Sequence, residues 1–409
     1  GAAAGPAPSG AVTAAVPTGA ELVLFAPLPP RRSGIAAYTA ELLPALGALR
    51  RTVVVVPEAA EAAPAEGALA VIAEAAYRHA PALHHLPHLL MLGNGLDQAH
   101  AWRAAMRRPS LVLLHDPVLH HLVEAMTLGC GRPELYALAL EREHGPAGRR
   151  LARLRELGLF APAQRYLLPL HRAVLDRAAS VVVHSRYAAG RLLGPPGLPV
   201  AVMPHHITPA VVALDGVDRA AARRRLGWPE PGEVLVALGH ATPAKQLDLI
   251  LRALALTPLP VRLVIGGAVP PEAGIESLVA GLGLGERVRL TGWLAEEEFL
   301  LHLRAADLLL ALRFPAGGES SGTLARALGM GTPALAYDFG PAAEEPPALV
   351  ATLPLTPGEA AVPALAAAIV RTLGELPARR GAALAARDAL RAARRPERSA
   401  RRLLAAGLA

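Results

Sequence analysis

The sequence contains one lysine, one asparagine and one cysteine among its 409 residues. A lone cysteine excludes an internal disulfide and a cysteine-rich metal site, and it is typical of a reducing compartment such as the cytoplasm. Aromatic residues make up only 3% of the chain, and no aromatic RNA-binding motif is present. No apolar run approaches the roughly 20 residues that a membrane-spanning helix needs.

The remaining composition predicts a large folded protein. Apolar residues make up 53% of the chain, which is ample for a core, and arginine accounts for nearly all of the positive charge. Because single cores rarely grow beyond about 250–300 residues, we expect two domains. Residues 1–20 are small and almost uncharged with no basic start, so they predict a disordered leader rather than a secretory signal.

The formal net charge of +7 favours anionic partners, such as phosphorylated ligands or an anionic membrane surface. Nucleic acid is a weaker prediction, because the sequence has no zinc-ligand spacing and no long basic run. We therefore expect no nucleic-acid partner.

Short apolar runs separated by helical sequence form two series along the chain. The first series begins at "LVLF" and continues through "TVVVVP", "LLMLGNG", "SLVLLHDP", "SVVVHS" and "VAVMP". The second begins at "EVLVALGH" and continues through "VRLVIGG", "RVRLTGW", "ADLLLAL" and "PALAYD". Runs without polar alternation are typical of parallel sheets that are covered on both faces. We therefore expect an α/β protein with two Rossmann-like, doubly wound domains, residues 21–210 and 211–390, which face a central cleft. Residues 391–409 predict a C-terminal helix that could cross back to the first domain.

Ligands of such sheets bind beyond the carboxyl ends of the strands, so the loops after strands are the candidate sites. The lone lysine, Lys245, lies in the loop "LGHATPAK", just before a helix predicted to begin near Leu247. A cation beside a helix N-terminus is unfavourable by roughly a few tenths of a kcal/mol, unless both bind the same anion. Lys245 therefore predicts a phosphate contact, and the alternative is a solvated surface lysine.

The loop "AGGESSGTLARAL" also precedes a predicted helix. Backbone N–H groups of Ser321, Gly322 and Thr323 could cradle an anion, while Ser320 or Ser321 caps the helix. Glu319 would repel an anion, so it suits the hydroxyl groups of a sugar-like ligand, or else it merely faces water. No Gly-Lys-Ser/Thr follows, which excludes a Walker loop.

Histidines occur in two further candidate loops. His115 and Asp116 follow the strand "LVLL", where a neutral histidine can bond a ligand hydroxyl. His120 and His121 lie on the next helix and are expected at the surface. A zinc site that combines them with His115 and Glu124 is a weaker alternative.

Two more segments could face the cleft. In "RRSGIAAY", Ser33 is placed to cap a helix that begins near Ile35, and Gly34 lies at the turn beside Arg31 and Arg32. In "MPHHITP", His205 and His206 either face the cleft or are solvated linker histidines.

Together these motifs resemble the GT-B glycosyltransferases, specifically retaining family 4. The resemblance runs from "APLPPRRSGIAAYTAELLPAL" through "LGNG", "LLHDPVLHHL", "VVVHSRYAAGRL" and "VMPHHI" to "GHATPAK" and "GESSGTLARALGMGTPALAYD". It implies that Lys245 binds the diphosphate of a nucleotide sugar and that His115 lies against the donor sugar. It also implies that Glu319 is the first glutamate of the E-x7-E motif. These three are the implied catalytic residues.

The resemblance also implies which residues form each side of the site. Further donor-side residues are Gly34, His240, Ser320, Ser321, Gly322 and Thr323. Acceptor-side or cleft residues are Arg32, Ser33, Asn94, Asp116 and His205.

The sequence departs from the family pattern at three positions. His240 stands where an arginine is usual, and Gln246 stands where a glycine is usual. The second glutamate of E-x7-E would fall at Ala327, whose side chain cannot bind a ribose. The third departure leaves open a non-catalytic module that binds nucleotide sugars, and a nucleotide-sugar epimerase is a further alternative.

The implied activity is a retaining, metal-independent transfer of a sugar from a nucleotide-diphosphate donor to an acceptor hydroxyl. No cofactor is expected, and the acceptor could be a glycan, a lipid-linked sugar or a small molecule. Basic amphipathic stretches within residues 149–191 could rest on an anionic membrane at its cytoplasmic face, or they are ordinary helices packed on a sheet.

Overall fold

The computed structural model describes residues 18–228 and 232–407, so the leader predicted for residues 1–20 lies almost entirely outside the described part. Two parallel sheets, one in each half of the chain, organise the described residues. The predicted α/β class with two Rossmann-like domains is confirmed.

The first sheet has the strand order β3-β2-β1-β4-β5-β6-β7, with every neighbouring pair parallel. Its strands are β1 Leu22–Phe25, β2 Thr52–Val56, β3 Ala68–Ala73, β4 His88–Leu92, β5 Leu111–Leu114, β6 Ser180–Val183 and β7 Val200–Val202. The central strand pairs through Leu22 with Thr52 and through Val23 with His88. The winding direction reverses between β1 and β4, which opens a crevice at their carboxyl ends.

The second sheet repeats this plan with the order β10-β9-β8-β11-β12-β13, also parallel throughout. Its strands are β8 Val234–Leu238, β9 Arg262–Gly266, β10 Val288–Gly292, β11 Leu308–Leu310, β12 Ala334–Tyr337 and β13 Val350–Leu353. Here the winding reverses between β8 and β11.

Helices cover both faces of each sheet. In the first half they are α1 Gly34–Gly47, α2 Glu74–Arg78, α3 Ala99–Ala105, α4 His120–Met126, α5 Pro133–His144, α6 Pro146–Glu156, α7 Gln164–Leu167, α8 Arg172–Leu175 and α9 Arg186–Ala189. In the rest they are α10 Arg219–Leu226, α11 Leu247–Leu256, α12 Ile275–Gly281, α13 Glu296–Ala305, α14 Gly322–Met330, α15 Ala361–Gly374, α16 Leu376–Ala393 and α17 Pro396–Gly407.

Alternate residues of each central strand pack into different cores. Val23 and Phe25 of β1 join one buried cluster, and Leu22 and Leu24 join the other. Successive side chains of a strand point to opposite faces, so a strand covered on both sides must be apolar throughout. The uninterrupted apolar runs in the sequence follow from this double burial.

The last helix packs on the first half of the chain. It is separated from the helix before it, because α16 ends at Ala393 and α17 begins at Pro396. Ala400 and Leu403 of α17 are buried in the core formed by β1, β2 and α1. Just before this helix, the Arg394 carbonyl accepts a hydrogen bond of 2.8 Å from the Ile207 N–H.

Two strands were not predicted from the sequence. They are β3 (ALAVIA) and β13 (VATL), and both lie at sheet edges. Within the basic stretches of residues 149–191, the short helices α7 and α8 are separated by a segment containing Pro169 and Leu170, whose φ is 55°.

None of the described helices alone is long and apolar enough to span a membrane. Among the described residues, one pair of consecutive helical segments, Gly358–Gly374 and α16, is together long and apolar enough. The two segments are bent by 70° relative to each other.

Candidate active site between the two domains

A cleft of about 620 Å³ lies between the two halves, beyond the carboxyl ends of both sheets. Loops after β1, β4 and β5 form one wall, and loops after β8, β9, β10 and β11 form the other. Every residue predicted for the site lines this cleft, except Asn94. The structure therefore brings together side chains that lie up to 291 positions apart, from Arg32 to Thr323.

Two helices begin at the cleft. Ser33 caps α1 as predicted, with its hydroxyl accepting the Ala36 N–H at 3.1 Å. Ser321 caps α14 and accepts the Leu324 N–H at 3.2 Å. The first residue of each helix is a glycine that lines the cleft, so free backbone N–H groups and the positive ends of both helix dipoles lie at its surface.

Lys245 is half-buried at the wall of the cleft and its ammonium group bonds the backbone, so it is not a fully solvated surface lysine. It ends a short 3₁₀ turn, Pro243–Lys245, and its Nζ donates a hydrogen bond of 2.5 Å to the Leu238 carbonyl. Burial, together with the nearby Arg313 guanidinium, lowers the pKa of Lys245 to about 7. A Cβ at Gly239, where φ is 96°, would lie 2.6 Å from Nζ, so the lysine reaches the cleft only because this position is glycine.

Gln246 stands where the family pattern has a glycine, and the structure shows how a larger residue fits there. Its φ is 51°, in the left-handed region that favours glycine, and its side-chain Oε1 accepts a hydrogen bond from the Tyr337 hydroxyl. This bond from β12 holds the strained residue. The turn consequently places Lys245 immediately before α11.

Two carboxyl groups face each other across the cleft. Glu319, from the loop before α14, forms an ion pair of 2.6 Å with Arg313. Burial, together with the negative charge of Glu319, raises the pKa of Asp116 to about 7. The sequence analysis missed Arg313, although its position just after β11 is where a site residue is expected.

His115 belongs to a buried group of aromatic rings around Tyr38. His184 Nδ1 lies 2.9 Å from the Met203 carbonyl and must donate to it, which leaves His184 Nε2 as an acceptor. His115 Nδ1, 3.1 Å away, therefore donates to His184. Burial keeps the pKa of His115 well below its usual value, so the ring is neutral with a lone pair on Nε2. That atom has no hydrogen-bond partner among the described residues.

His205 and His206 are not solvated linker histidines. His206 is buried and donates from Nε2 to Glu41 on α1 at 2.7 Å. The other carboxylate oxygen of Glu41 pairs with Arg326 of α14, which also contacts Glu296 at 3.1 Å. His205 lines the cleft, and burial lowers its pKa well below the usual value. Glu41 and Arg326, neither of which the motifs indicated, join the two domains behind the cleft.

The expectation of surface histidines on α4 is wrong for His120. It is fully buried, and its ring nitrogens bond the Leu168 carbonyl and the Tyr136 hydroxyl at 2.6 and 2.9 Å. Glu124, the proposed zinc ligand, pairs instead with Arg155 and Arg165. Within residues 18–228 and 232–407, no group of three or more His, Cys, Asp or Glu side chains could hold a metal ion.

Asn94 does not line the main cleft, but its hydrogen bonds connect two loops of the site. Its side-chain oxygen accepts the backbone N–H groups of His121 and Leu122 at 2.8 and 3.2 Å, at the start of α4. Its own backbone N–H donates to Asp116 at 2.8 Å. The lone asparagine therefore connects the loop after β4 with the loop after β5.

His240 and Ala327 are the other two departures from the family pattern. His240 is exposed and lines the cleft. Ala327 is fully buried in the core beneath α14 and does not line the cleft. At the rim, Arg32 of the first domain stacks on Trp293 of the second, with its guanidinium carbon 5.1 Å from the ring centroid.

Comparison with known sequences places a glycosyltransferase domain in the second half of the chain. Residues 218–348 match the family described as Glycosyl transferases group 1. The D-inositol 3-phosphate glycosyltransferase of Mycolicibacterium gilvum is 31% identical over 184 residues, covering 41% of this chain and 38% of the relative. The corresponding enzyme of Nocardia farcinica is 41% identical over 136 residues, covering 30% of this chain and 29% of the relative. The match thus spans less than half of these relatives.

Solved structures match over nearly the whole chain. Sucrose-phosphate synthase from Thermosynechococcus elongatus has a TM-score of 0.66 at 17% identity, covering 94% of this chain and 97% of that one. WaaG, a glycosyltransferase involved in lipopolysaccharide biosynthesis, has a TM-score of 0.58 at 14% identity, covering 93% and 99%. Anabaena HepE in complex with UDP-glucose has a TM-score of 0.56 at 16% identity, covering 94% and 99%. The predicted GT-B fold is confirmed, and at these identities the likeness concerns the fold alone.

Proposed function

We propose that the protein is a retaining, metal-independent glycosyltransferase of family 4, which moves a sugar from a nucleotide-diphosphate donor to an acceptor hydroxyl. The observation that carries the proposal is the joint position of Lys245 and the N-terminus of α14 on one wall of the cleft. The group 1 domain match and the UDP-glucose complex of the structural neighbour HepE support a nucleotide-sugar donor.

Lys245 and α14 would act on the leaving group. When the bond between the anomeric carbon and the diphosphate oxygen breaks, negative charge grows on the diphosphate. A partly desolvated ammonium group and free helix N–H groups stabilise that charge more strongly than they stabilise the charge of the ground state. A diphosphate beside Lys245 also raises its pKa from about 7, so the lysine becomes fully protonated as the donor binds.

Retention results either from attack of the acceptor oxygen on the face that the diphosphate leaves or from a double displacement through an enzyme nucleophile. A double displacement would need a free carboxylate as nucleophile. Glu319 is held by Arg313, and Asp116 is partly protonated near pH 7, so neither group suits that role. In the proposed reaction the acceptor oxygen bonds the anomeric carbon, and its proton passes to the departing diphosphate oxygen. Lys245 and the helix N-terminus carry the electrostatic stabilisation, and no cofactor is required.

His115 and Glu319 would orient the donor sugar. The free lone pair of His115 Nε2 can accept a hydrogen bond from a sugar hydroxyl, and the Glu319 carboxylate can accept others. Gly34 and the backbone N–H groups of Ser321, Gly322 and Thr323 would contact the diphosphate, with Ser320 and His240 on the same wall. Arg32, Ser33, Asp116 and His205 would form the acceptor side, and Asn94 supports Asp116.

The central test is a donor panel assayed by release of the nucleotide diphosphate. We expect Lys245→Ala to lower kcat/KM for the donor by at least about 100-fold, and Lys245→Arg to retain part of the activity. Arg252→Ala is the matched control, because Arg252 is an exposed cation on α11, outside the cleft. Wild-type rates in Lys245→Ala would refute the phosphate role.

The buried position of Ala327 favours one alternative, a module that binds nucleotide sugars without turnover. Calorimetric binding of a nucleotide diphosphate with no transfer and no donor hydrolysis would support that alternative. Release of free nucleotide diphosphate together with a 2-epimer would instead support an epimerase.

We also propose a cytoplasmic location, with peripheral contact at the inner membrane face if the acceptor is lipid-linked. Exposed Leu154, Leu157 and Leu159 lie beside basic residues on and after α6, as in a helix that rests on an anionic surface. Co-sedimentation with liposomes, with and without anionic lipid at low salt, tests this contact. Absence of binding to anionic liposomes would remove it.

A further inference from the structure

A second cavity of about 410 Å³ opens beside the main cleft, and the two share Asp116, Thr242, Arg313 and Glu319. We refer to it as the side chamber. His121 and Tyr166 line it from the first domain, and Gly317 lines it from the second. A cavity between two domains that shares polar residues with a candidate active site is a suitable place for a second substrate.

The side chamber offers both hydrogen-bond donors and acceptors. Because Asn94 Oδ1 accepts two backbone N–H groups, its amide Nδ2 donates to His121 Nδ1 at 2.7 Å. A neutral His121 consequently carries its proton on Nε2 and is a donor. The Tyr166 hydroxyl can donate or accept, and the carboxyl groups of Asp116 and Glu319 accept. This mixture matches a ligand with several hydroxyl groups.

The charges of the side chamber disfavour an anion. Arg313 is the one cation among its described lining residues, and Glu319 already pairs with it at 2.6 Å. Asp116 forms no ion pair within residues 18–228 and 232–407, and it accepts a hydrogen bond from the Asn94 N–H. Near His121, Arg165 is held by Glu124 at 2.7 Å. A phosphate in the side chamber would therefore lie beside a carboxyl group without a free counter-charge.

We infer that the side chamber receives the acceptor, and that this acceptor is a neutral polyol or sugar rather than a phosphorylated one. The inference rests on the proposed glycosyltransferase function and adds the acceptor class. It also separates this chain from the similar proteins named as D-inositol 3-phosphate glycosyltransferases. The Asp116 carboxyl group, which is partly ionised near pH 7, would disfavour the phosphate, and the one nearby cation, Arg313, is already paired with Glu319.

The test compares acceptors in matched pairs, with the donor identified by the panel assay. The pairs are myo-inositol with D-inositol 3-phosphate, glucose with glucose 6-phosphate, mannose with mannose 6-phosphate, and glycerol with glycerol 3-phosphate. Transfer is measured as kcat/KM, and binding is measured by calorimetry in the presence of the nucleotide diphosphate. We expect the neutral member to be preferred by about 100-fold in every pair that is used.

Asp116→Asn keeps an oxygen for the Asn94 N–H and removes the negative charge. It should therefore reduce the preference for the neutral member by about 10-fold. Glu359→Gln is the control with the same change of charge, because Glu359 is exposed on the short turn Gly358–Ala360, outside both cavities. Tyr166→Phe should raise the acceptor KM more than the donor KM.

Three results would overturn the inference: preference for the phosphorylated member, an unchanged ratio in Asp116→Asn, or absence of both transfer and binding for every polyol. Donor hydrolysis without any acceptor tests the proposed function separately. A protein that hydrolyses the donor and prefers phosphorylated acceptors would thus refute only the acceptor class.

Discussion

Removing the charge of Lys245 should make the fold more stable while it abolishes donor use. The perturbation is Lys245→Met, which keeps a long side chain and loses the ammonium group. The pKa of Lys245 falls from 10.5 to about 7 in the fold, and each unit corresponds to about 1.4 kcal/mol. At pH 7 this amounts to an unfavourable contribution of at most about 4 kcal/mol to the free energy of folding.

The variant also loses a favourable interaction, which offsets part of this gain in stability. The Leu238 carbonyl, which accepts from Nζ at 2.5 Å, is left without this donor, at a cost of about 1–3 kcal/mol. We therefore expect the free energy of unfolding of Lys245→Met to exceed that of the wild type by about 1–2 kcal/mol at pH 7.

The pH dependence identifies the cause. Between about pH 7 and pH 10.5 the unfolded chain holds a proton on Lys245 that the folded chain has lost, so wild-type stability rises with pH through this window. The advantage of Lys245→Met should consequently be largest at pH 7 and below, and it should disappear towards pH 10. Urea unfolding at several pH values without ligand measures this difference.

Arg252→Met is the control for the stability series, because it removes an exposed cation from the adjacent helix α11. Its effect should stay within about 0.5 kcal/mol and should not depend on pH. The reasoning would be refuted if Lys245→Met were less stable than the wild type at every pH, or if its gain in the free energy of unfolding did not vary with pH. Either result would mean that desolvation of Lys245 does not destabilise the fold.

Two further predictions concern residues that the motifs did not indicate. His184→Phe keeps a ring but removes the acceptor for His115 Nδ1–H, so kcat for donor use should fall about 10-fold or more, with a smaller change in KM. ¹⁵N NMR of His115 should then show a mixture of tautomers, and an unchanged single tautomer would contradict the positioning role. Asp307→Asn should lower the free energy of unfolding by about 3 kcal/mol in urea, because buried Asp307 pairs with Arg223 and Arg380 and accepts the Val234 N–H at 2.6 Å. A loss below about 1 kcal/mol would mean that this network contributes little.

The sequence predicted the parts of the fold that depend on local patterns. Double burial makes the central strands continuously apolar, so β1, β2, β5 and β8 were recognisable. Capping by Ser33 and Ser321 depends on neighbouring residues, and both caps were predicted. The edge strands were missed for local reasons: β3 (ALAVIA) is half alanine and is followed at once by α2, and β13 (VATL) has only 4 residues.

Features that depend on tertiary contacts could not be predicted. The charge of Arg313 is useful only because the fold places Glu319 beside it, and Glu41 meets Arg326 across 285 positions of sequence. His120 looked like a surface histidine because its partners, Tyr136 and the Leu168 carbonyl, come from later segments. Whether a side chain is buried, paired or exposed depends on its partners in the fold, and these partners cannot be read from spacing in the sequence.

The surroundings of Lys245 suggest why one lysine can serve where the family pattern has an arginine nearby as well. Arg313 and Arg326, the other cations deep in the cleft, are already paired with Glu319, Glu41 and Glu296. Lys245 forms no ion pair with any described residue, and burial removes most of its hydration. An anion that binds beside it therefore relieves an unfavourable state as well as forming a new contact. Because the leaving diphosphate gains charge during bond cleavage, that relief is greatest in the transition state, where it accelerates the reaction.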